Sequence, residues 1–345
     1  MDFTPTEEQE AARDLAARIF GDLATHERLA AAGTGSDAEL WKALCAAGLP
    51  GAVEETGLLG LVLLLEEQGR RTAQVPLAAT CVYGILAVAR HGTEEQRARL
   101  LPGLRDGTTV VTGAFPGTGG VVAHEGRLGG AVEWVPWLRD ATHVLVADAE
   151  RGLWLVRTED AARIEPVELT APWSAGRLVL DDTAAERLGT ASGFDAYADV
   201  LVAARVAFAG LQAGVCAGSL ARAVEYTSVR EQFGRPLATH QAVQLRAADA
   251  YMDTEAIRVT AYEAAWRHDE GLDAAEAALT AAWWASEAGK RVVHTGQHLH
   301  GGMGADLDHP VHRHFLWGRQ VDAYLGCGTE LLAELGDLLA KGDPS

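Results

Sequence analysis

Two stretches of this 345-residue chain hold residue types at spacings suited to a charged ligand. The first, residues 226–249, reads YTSVREQFGRPLATHQAVQLRAAD. Its helical pattern stops near Arg230, where Gly234 and Pro236 force a turn. The pattern resumes near His240, with the Thr239 hydroxyl as a candidate cap. Such a corner presents Arg230 and the free N–H groups of a helix start, two kinds of donor that suit a phosphate. The residues alone leave open a plainer reading, a helix hairpin with a solvated arginine. The second stretch, residues 297–304, reads QHLHGGMG. Gly301 and Gly302, adjacent after a helix, let the backbone come close to a ligand. Six histidines lie in this region (His294, His298, His300, His309, His312 and His314), at a spacing that matches no familiar zinc pattern, and no metal is expected.

The elements that must position these residues fall into three blocks. Up to about residue 107 the apolar spacing is helical: Ala11, Leu15, Ala16, Ile19 and Phe20 share one face of a first helix that Thr6 is placed to cap. Further helices are expected over 37–47, 58–70, 77–91 and 93–104. From 108 to about 186 glycine and proline punctuate short β-type runs at 108–113, 130–135, 143–147, 153–157 and 177–180, the spacing of a small antiparallel sandwich or barrel. Long helical patterns return at 197–230, 240–269, 274–297 and 311–339. The order helix, β, helix predicts three domains: 1–107 all-helical, 108–193 β, and 194–345 a four-helix bundle.

Composition narrows the partners. Hydrophobic residues make up 48% and charged residues 22%, enough apolar material for a substantial core. A net charge of −19 argues against nucleic acid or an anionic membrane surface as partner. It also requires that any phosphate-bearing ligand meet a local concentration of basic residues. The apolar stretches, such as 57–65, fall short of the roughly 20 residues that span a bilayer, and the acidic start is unlike a secretory leader. Four cysteines far apart in sequence read as free thiols in a reducing cytoplasm.

The first stretch, Tyr-x-x-x-Arg-x-Gln-Phe-Gly-x-Pro followed by Gln-Ala-Val-Gln and Ala-Asp, resembles the signature of acyl-CoA dehydrogenases at this corner. The Gly301–Gly302 pair matches a second family feature. Similarity runs the length of the chain, through 3–9, 39–49, 66–77 and 95–107. The resemblance implies a mainly helical three-domain fold with a central β domain, FAD as cofactor, an acyl-CoA substrate and an electron-accepting partner protein. It assigns Arg230, Gln232, Phe233, His240, Val243, Gln297, His298, Gly301 and Gly302 to the adenosine and pyrophosphate side of an FAD held by a neighbouring subunit. It also implies substrate contacts for Arg205 and Tyr324, although a salt bridge serves equally well for Arg205.

The family pattern breaks where the chemistry is done. The reaction needs a carboxylate at the substrate α-carbon. Counting from Gly301, the usual glutamate falls at Leu325; the alternative family position, one residue before Arg205, is Ala204. The segments expected to contact the flavin ring, 111–120 and 132–137, also depart from the family sequence. Features serving a neighbour's FAD are kept, whereas those serving this chain's own ring and base are degraded. That pattern resembles the short subunits of actinobacterial heterotetrameric (α2β2) acyl-CoA dehydrogenases and implies a paralogous partner subunit. Two other readings stay open: a self-sufficient flavoenzyme whose base has moved to Asp249, Asp253 or Glu255, and a non-redox binding or scaffold subunit.

Overall fold

The computed structural model describes residues 2–115, 120–190 and 193–342. Helices form both ends of the chain and strands its middle, the order expected from the sequence. The chain packs as two compact units, and α4 (Leu49–Arg71) and α8 (Gly193–Val229) each contribute to both.

One unit comprises Glu27–Leu61 and Gln74–Ala204. Its helices are α2 (His26–Ala32), α3 (Ala38–Ala46), α5 (Leu77–Ala79), α6 (Ala87–His91) and α7 (Glu94–Asp106), with a π-helical stretch Thr80–Leu86 joining α5 to α6. Thr93 starts α7 with a reciprocal cap, its hydroxyl accepting from Gln96 N–H while the Gln96 side chain accepts from Thr93 N–H. The strands are β1 (Val111–Ala114), β2 (Val121–His124), β3 (Arg127–Val135), β4 (His143–Ala147), β5 (Leu153–Arg157), β6 (Arg163–Pro166), β7 (Gly176–Ala184) and β8 (Glu186–Arg187). They form two four-stranded sheets, ordered β1-β4-β5-β8 and β2-β3-β7-β6. Alternate residues, among them Leu128, Val144, Val146, Val156, Leu178 and Leu180, fill a shared core. β1 pairs with β4 in parallel, which corrects the all-antiparallel expectation. Gly113 in β1 is covered by the Tyr83 ring, where an added Cβ would come within 2.6 Å. Tyr83 stacks on Phe115 at 5.2 Å, and Phe115 on Tyr197 at 5.5 Å.

The other unit comprises Met1–His26, Val62–Ala73 and Arg205–Ser345. Here α1 (Glu7–Leu23) opens with a second reciprocal cap, Thr6 with Gln9. The end of α4 and most of α8 join α9 (Gln241–Asp269), α10 (Ala275–Leu299), α11 (Val311–Ala323) and α12 (Gly328–Gly342). The pattern over 311–339 predicts one helix; Tyr324 to Cys327 splits it in two, because Leu325 and Gly326 take left-handed conformations (φ 64° and 109°). By length and composition α8 is apolar enough to cross a membrane, contrary to the sequence reading. Its apolar window is 89% buried, the property of a core helix.

Glycines set how closely α4 and α8 approach. A Cβ at Gly69 would collide with the Leu211 carbonyl and lie 2.7 Å from Val215 N, and one at Gly214 would strike the Glu66 carbonyl. Backbone cannot move aside as a side chain can, so Gly69→Ala is expected to destabilise the chain by about 2–3 kcal/mol, read as a lower denaturation midpoint at unchanged slope. His314 of α11 faces these helices, its Nε2–H donating to the Arg70 carbonyl at 3.0 Å. Burial, helped by the charge of Arg222, pushes its pKa down to about 4. The unfolded imidazole, near 6.5, binds protons more readily, so stability falls as pH drops from about 6.5 to about 4. The expected loss is about 3 kcal/mol, and His314→Gln should flatten that part of a stability–pH curve.

Candidate functional site

The corner after α8 is built on a miniature hairpin. β9 (Glu231–Gln232) pairs antiparallel with β10 (Arg235–Pro236), and the two residues between, Phe233 and Gly234, both have positive φ (55° and 77°). Positive φ at both central positions is the geometry of the tightest hairpin turns. Gly234 takes it freely; Phe233 does not, and strain of this kind gathers at functional sites. The turn thrusts the Phe233 ring outward, 92% exposed. Arg230, exposed at the foot of the hairpin, has no side-chain hydrogen bond or ion pair among the described residues. Gln232 is exposed as well, its amide donating only to the adjacent Glu231 carbonyl.

Helix α9 begins directly behind the hairpin. His240 is its N-cap residue but makes no side-chain cap, and Thr239 does not supply one, since its hydroxyl donates to the Pro236 carbonyl. This corrects the expected Thr239 cap. Hence the first helical N–H groups, at Gln241 and Ala242, take no acceptor among the described residues. His240 Nδ1 receives Arg235 at 3.2 Å, and its buried Nε2 has no partner. Val243 is half-buried on the first turn of α9.

The Gly301–Gly302 turn lies against this corner. The Tyr226 ring, one turn before Arg230, stacks on His300 at 4.8 Å, and His300 immediately precedes Gly301. His300 Nδ1–H donates to the Gly296 carbonyl at 2.7 Å, and burial lowers its pKa. This Tyr226–His300 link was not foreseen from sequence; the tyrosine four residues before Arg230 was its only sign. Gln297 supports the turn by donating to the Gly304 carbonyl, while His298 is exposed. Gly301 (φ 61°) and Gly302 are exposed, and a Cβ on either would meet nothing within 4 Å. A partnerless guanidinium, an uncapped helix start, an exposed aromatic ring and bare backbone therefore gather at this corner and the turn against it. That set of donors fits a ligand with phosphates at one end and an aromatic ring at the other.

The residues at the expected base position form a separate, closed cluster. Leu325 is buried between α11 and α12, and Tyr324 packs edge-on against Phe208 at 4.6 Å. Arg205, 7% exposed, donates to both carboxylate oxygens of Glu334 at 2.9 and 2.5 Å. Glu334 on α12 was missed in the sequence, being 129 residues from its partner. Ala204 is fully buried. Asp253 is held by Arg291 at 2.8 and 2.9 Å, Glu255 pairs with Arg258, and Asp249 is exposed on α9. Residues 116–119, part of the stretch expected beside the flavin ring, lie outside the described residues. Among the described residues no group of three or more His, Cys, Asp or Glu could hold a metal ion.

Comparison with known proteins places this geometry. Residues 6–108 match the acyl-CoA dehydrogenase N-terminal domain and residues 191–333 the acyl-CoA dehydrogenase C-terminal domain. The chain is 33% identical to acyl-CoA dehydrogenase FadE27 of Mycobacterium tuberculosis, over 99% of each chain. It resembles a solved variant of the Tcur3481-Tcur3483 steroid ACAD at 43% identity and a TM-score of 0.92, covering 98% of this chain and 99% of that one. The ChsE4-ChsE5 complex from Mycobacterium tuberculosis matches at 32% identity and a TM-score of 0.92, over the whole of both chains.

Proposed function

This chain belongs to the acyl-CoA dehydrogenase family, whose members carry out FAD-dependent dehydrogenation of acyl-CoA thioesters, and on that premise we propose that it is the base-deficient subunit of a hetero-oligomer. The carrying observation is the contrast between its two clusters. The Arg230–Phe233 corner and the Gly301–Gly302 turn are exposed, with Arg230 unpaired among the described residues, whereas the expected base position is a buried leucine next to a packed tyrosine, with Arg205 paired to Glu334. Similarity to one chain of a complex named for two proteins supports a paralogous partner.

When bound, FAD supplies the hydride acceptor for the substrate β-carbon. In this reading the chain's residues hold the cofactor and leave the chemistry to the partner. Arg230 and the α9 N-terminus neutralise the pyrophosphate; Phe233 and the bare backbone at Gly301–Gly302 cover the adenosine. The α-proton passes to a carboxylate of the partner subunit, and an electron-accepting protein completes the cycle. The steroid description of the 43% identical relative makes a bulky steroid acyl-CoA the substrate to try first.

The test uses the co-expressed assembly. Leu325→Ala should leave kcat within about twofold, because no proton reaches this position, while replacing the partner's pocket carboxylate with its amide should lower kcat by roughly 10²–10⁴. A large loss from Leu325→Ala with the partner variant fully active would reverse the assignment.

A further inference from the structure

A second basic cluster lies on the same unit, around Arg222, eight residues before Arg230 in the chain. At Gly218 an added Cβ would lie 2.5 Å from both the Arg70 carbonyl and His314 Nε2, so this glycine lets the end of α4 settle against α8. That contact brings Arg70 and Arg71 alongside Arg222. With Ala17 of α1 and the small residues of α8 they line a cleft of about 300 Å³, which also contains Glu67 and Glu225.

The charges in this cleft are not balanced. Arg70 is paired with Glu67 at 3.0 Å. Neither Arg71 nor Arg222 has an ion pair or side-chain hydrogen bond among the described residues. Arg222 is half-buried, and burial and the neighbouring Arg71 both work against its charge, opposed only by Glu225. His300, His309 and His314, which feel the Arg222 charge, are all pushed toward the neutral form, first by burial. Two like charges left facing one another, one of them partly out of water, raise the free energy of the empty cleft. In a chain of net charge −19, free carboxylates could easily have been placed there, yet none lies within pairing distance of either guanidinium.

We propose that this cleft binds the phosphate group of a small phosphate monoester, with Arg71 and Arg222 as its two clamps. A dianion neutralises both guanidiniums, whereas a monocarboxylate would leave one uncompensated, and the planar forks of arginine match phosphate oxygens two at a time. The small residues Ala217, Gly218 and Ala221 leave the floor open, so no side chain competes for the space. The cleft has room for a phosphate and a compact organic group, near the lower limit of small-molecule pockets. Its residues are distinct from those assigned to the flavin, so the inference stands whether or not that assignment does.

The test is isothermal titration of the full-length purified protein, alone or in its assembly, with inorganic phosphate and with ribose 5-phosphate at fixed ionic strength. One site per chain is expected, weakened at least tenfold by Arg222→Gln and by Arg71→Gln and unchanged by Arg230→Gln. Arg222→Lys, which keeps the charge and protects folding, should weaken it less than Arg222→Gln. Equal affinity for the two probes would identify free phosphate as the ligand; preference for ribose 5-phosphate would identify an ester. Three results would overturn the proposal: binding that survives Arg222→Gln, binding lost in Arg230→Gln, or no binding by the natural sequence at millimolar probe. The last would assign the two arginines to a carboxylate of a neighbouring subunit.

Discussion

Purified without a paralogue, the chain is expected to contain little flavin and to dehydrogenate no acyl-CoA, and co-expression with a glutamate-bearing paralogue should restore both. The physical reason lies in what each cluster can supply. At Leu325 there is no atom able to accept a proton, and the neighbouring arginine and tyrosine are already committed to Glu334 and Phe208. General-base catalysis contributes about 10²–10⁴ in rate, and a hydrocarbon side chain forfeits it entirely. Among the acids considered as a relocated base, Asp253 and Glu255 are paired with arginines and Asp249 faces solvent. The measurement is the flavin absorbance of the lone and co-expressed proteins beside their turnover of a steroid acyl-CoA.

The second large effect is expected at Arg230. In the co-expressed assembly Arg230→Ala should weaken FAD retention by roughly 10–100-fold, the worth of one or two charge-assisted hydrogen bonds to a phosphate. Folding should be little affected, because the exposed Arg230 side chain makes no hydrogen bond or ion pair among the described residues. Phe233→Ala should weaken FAD by about tenfold through lost ring contact, with stability little changed because the ring is exposed and the turn keeps its positive φ. Apparent FAD affinity from activity regained by apoprotein separates these outcomes. If Arg230→Ala retained FAD as the natural sequence does, the corner would not be the cofactor's seat.

Much of this was legible in the sequence because it is local. Thr6 caps the first helix as its position suggested, strands over 143–147 and 153–157 fall where short β-type runs between turn signals placed them, and the Arg230–Gly234–Pro236 corner follows from a glycine and a proline after a long helix. What escaped depends on distant partners or on backbone geometry. The Arg205–Glu334 pair joins residues 129 apart, and the parallel β1–β4 pairing requires a crossover that no local pattern encodes. The break between α11 and α12 was hidden because apolar spacing continues through it; a leucine with positive φ leaves no mark on hydrophobic periodicity. The apolar character of α8 was underestimated for a related reason, its alanines, valines and glycines being spread along a helix rather than massed in one run. The leucine at the expected base position, by contrast, was a matter of counting, and the structure adds that it is buried.

The account rests on one cofactor shared across two unlike subunits, and the ratio of flavin to polypeptide in the purified assembly measures that sharing directly. About one FAD for every two chains is the predicted result, released on denaturation and counted against total protein. A ratio near one FAD per chain, with this subunit carrying its own, would contradict it.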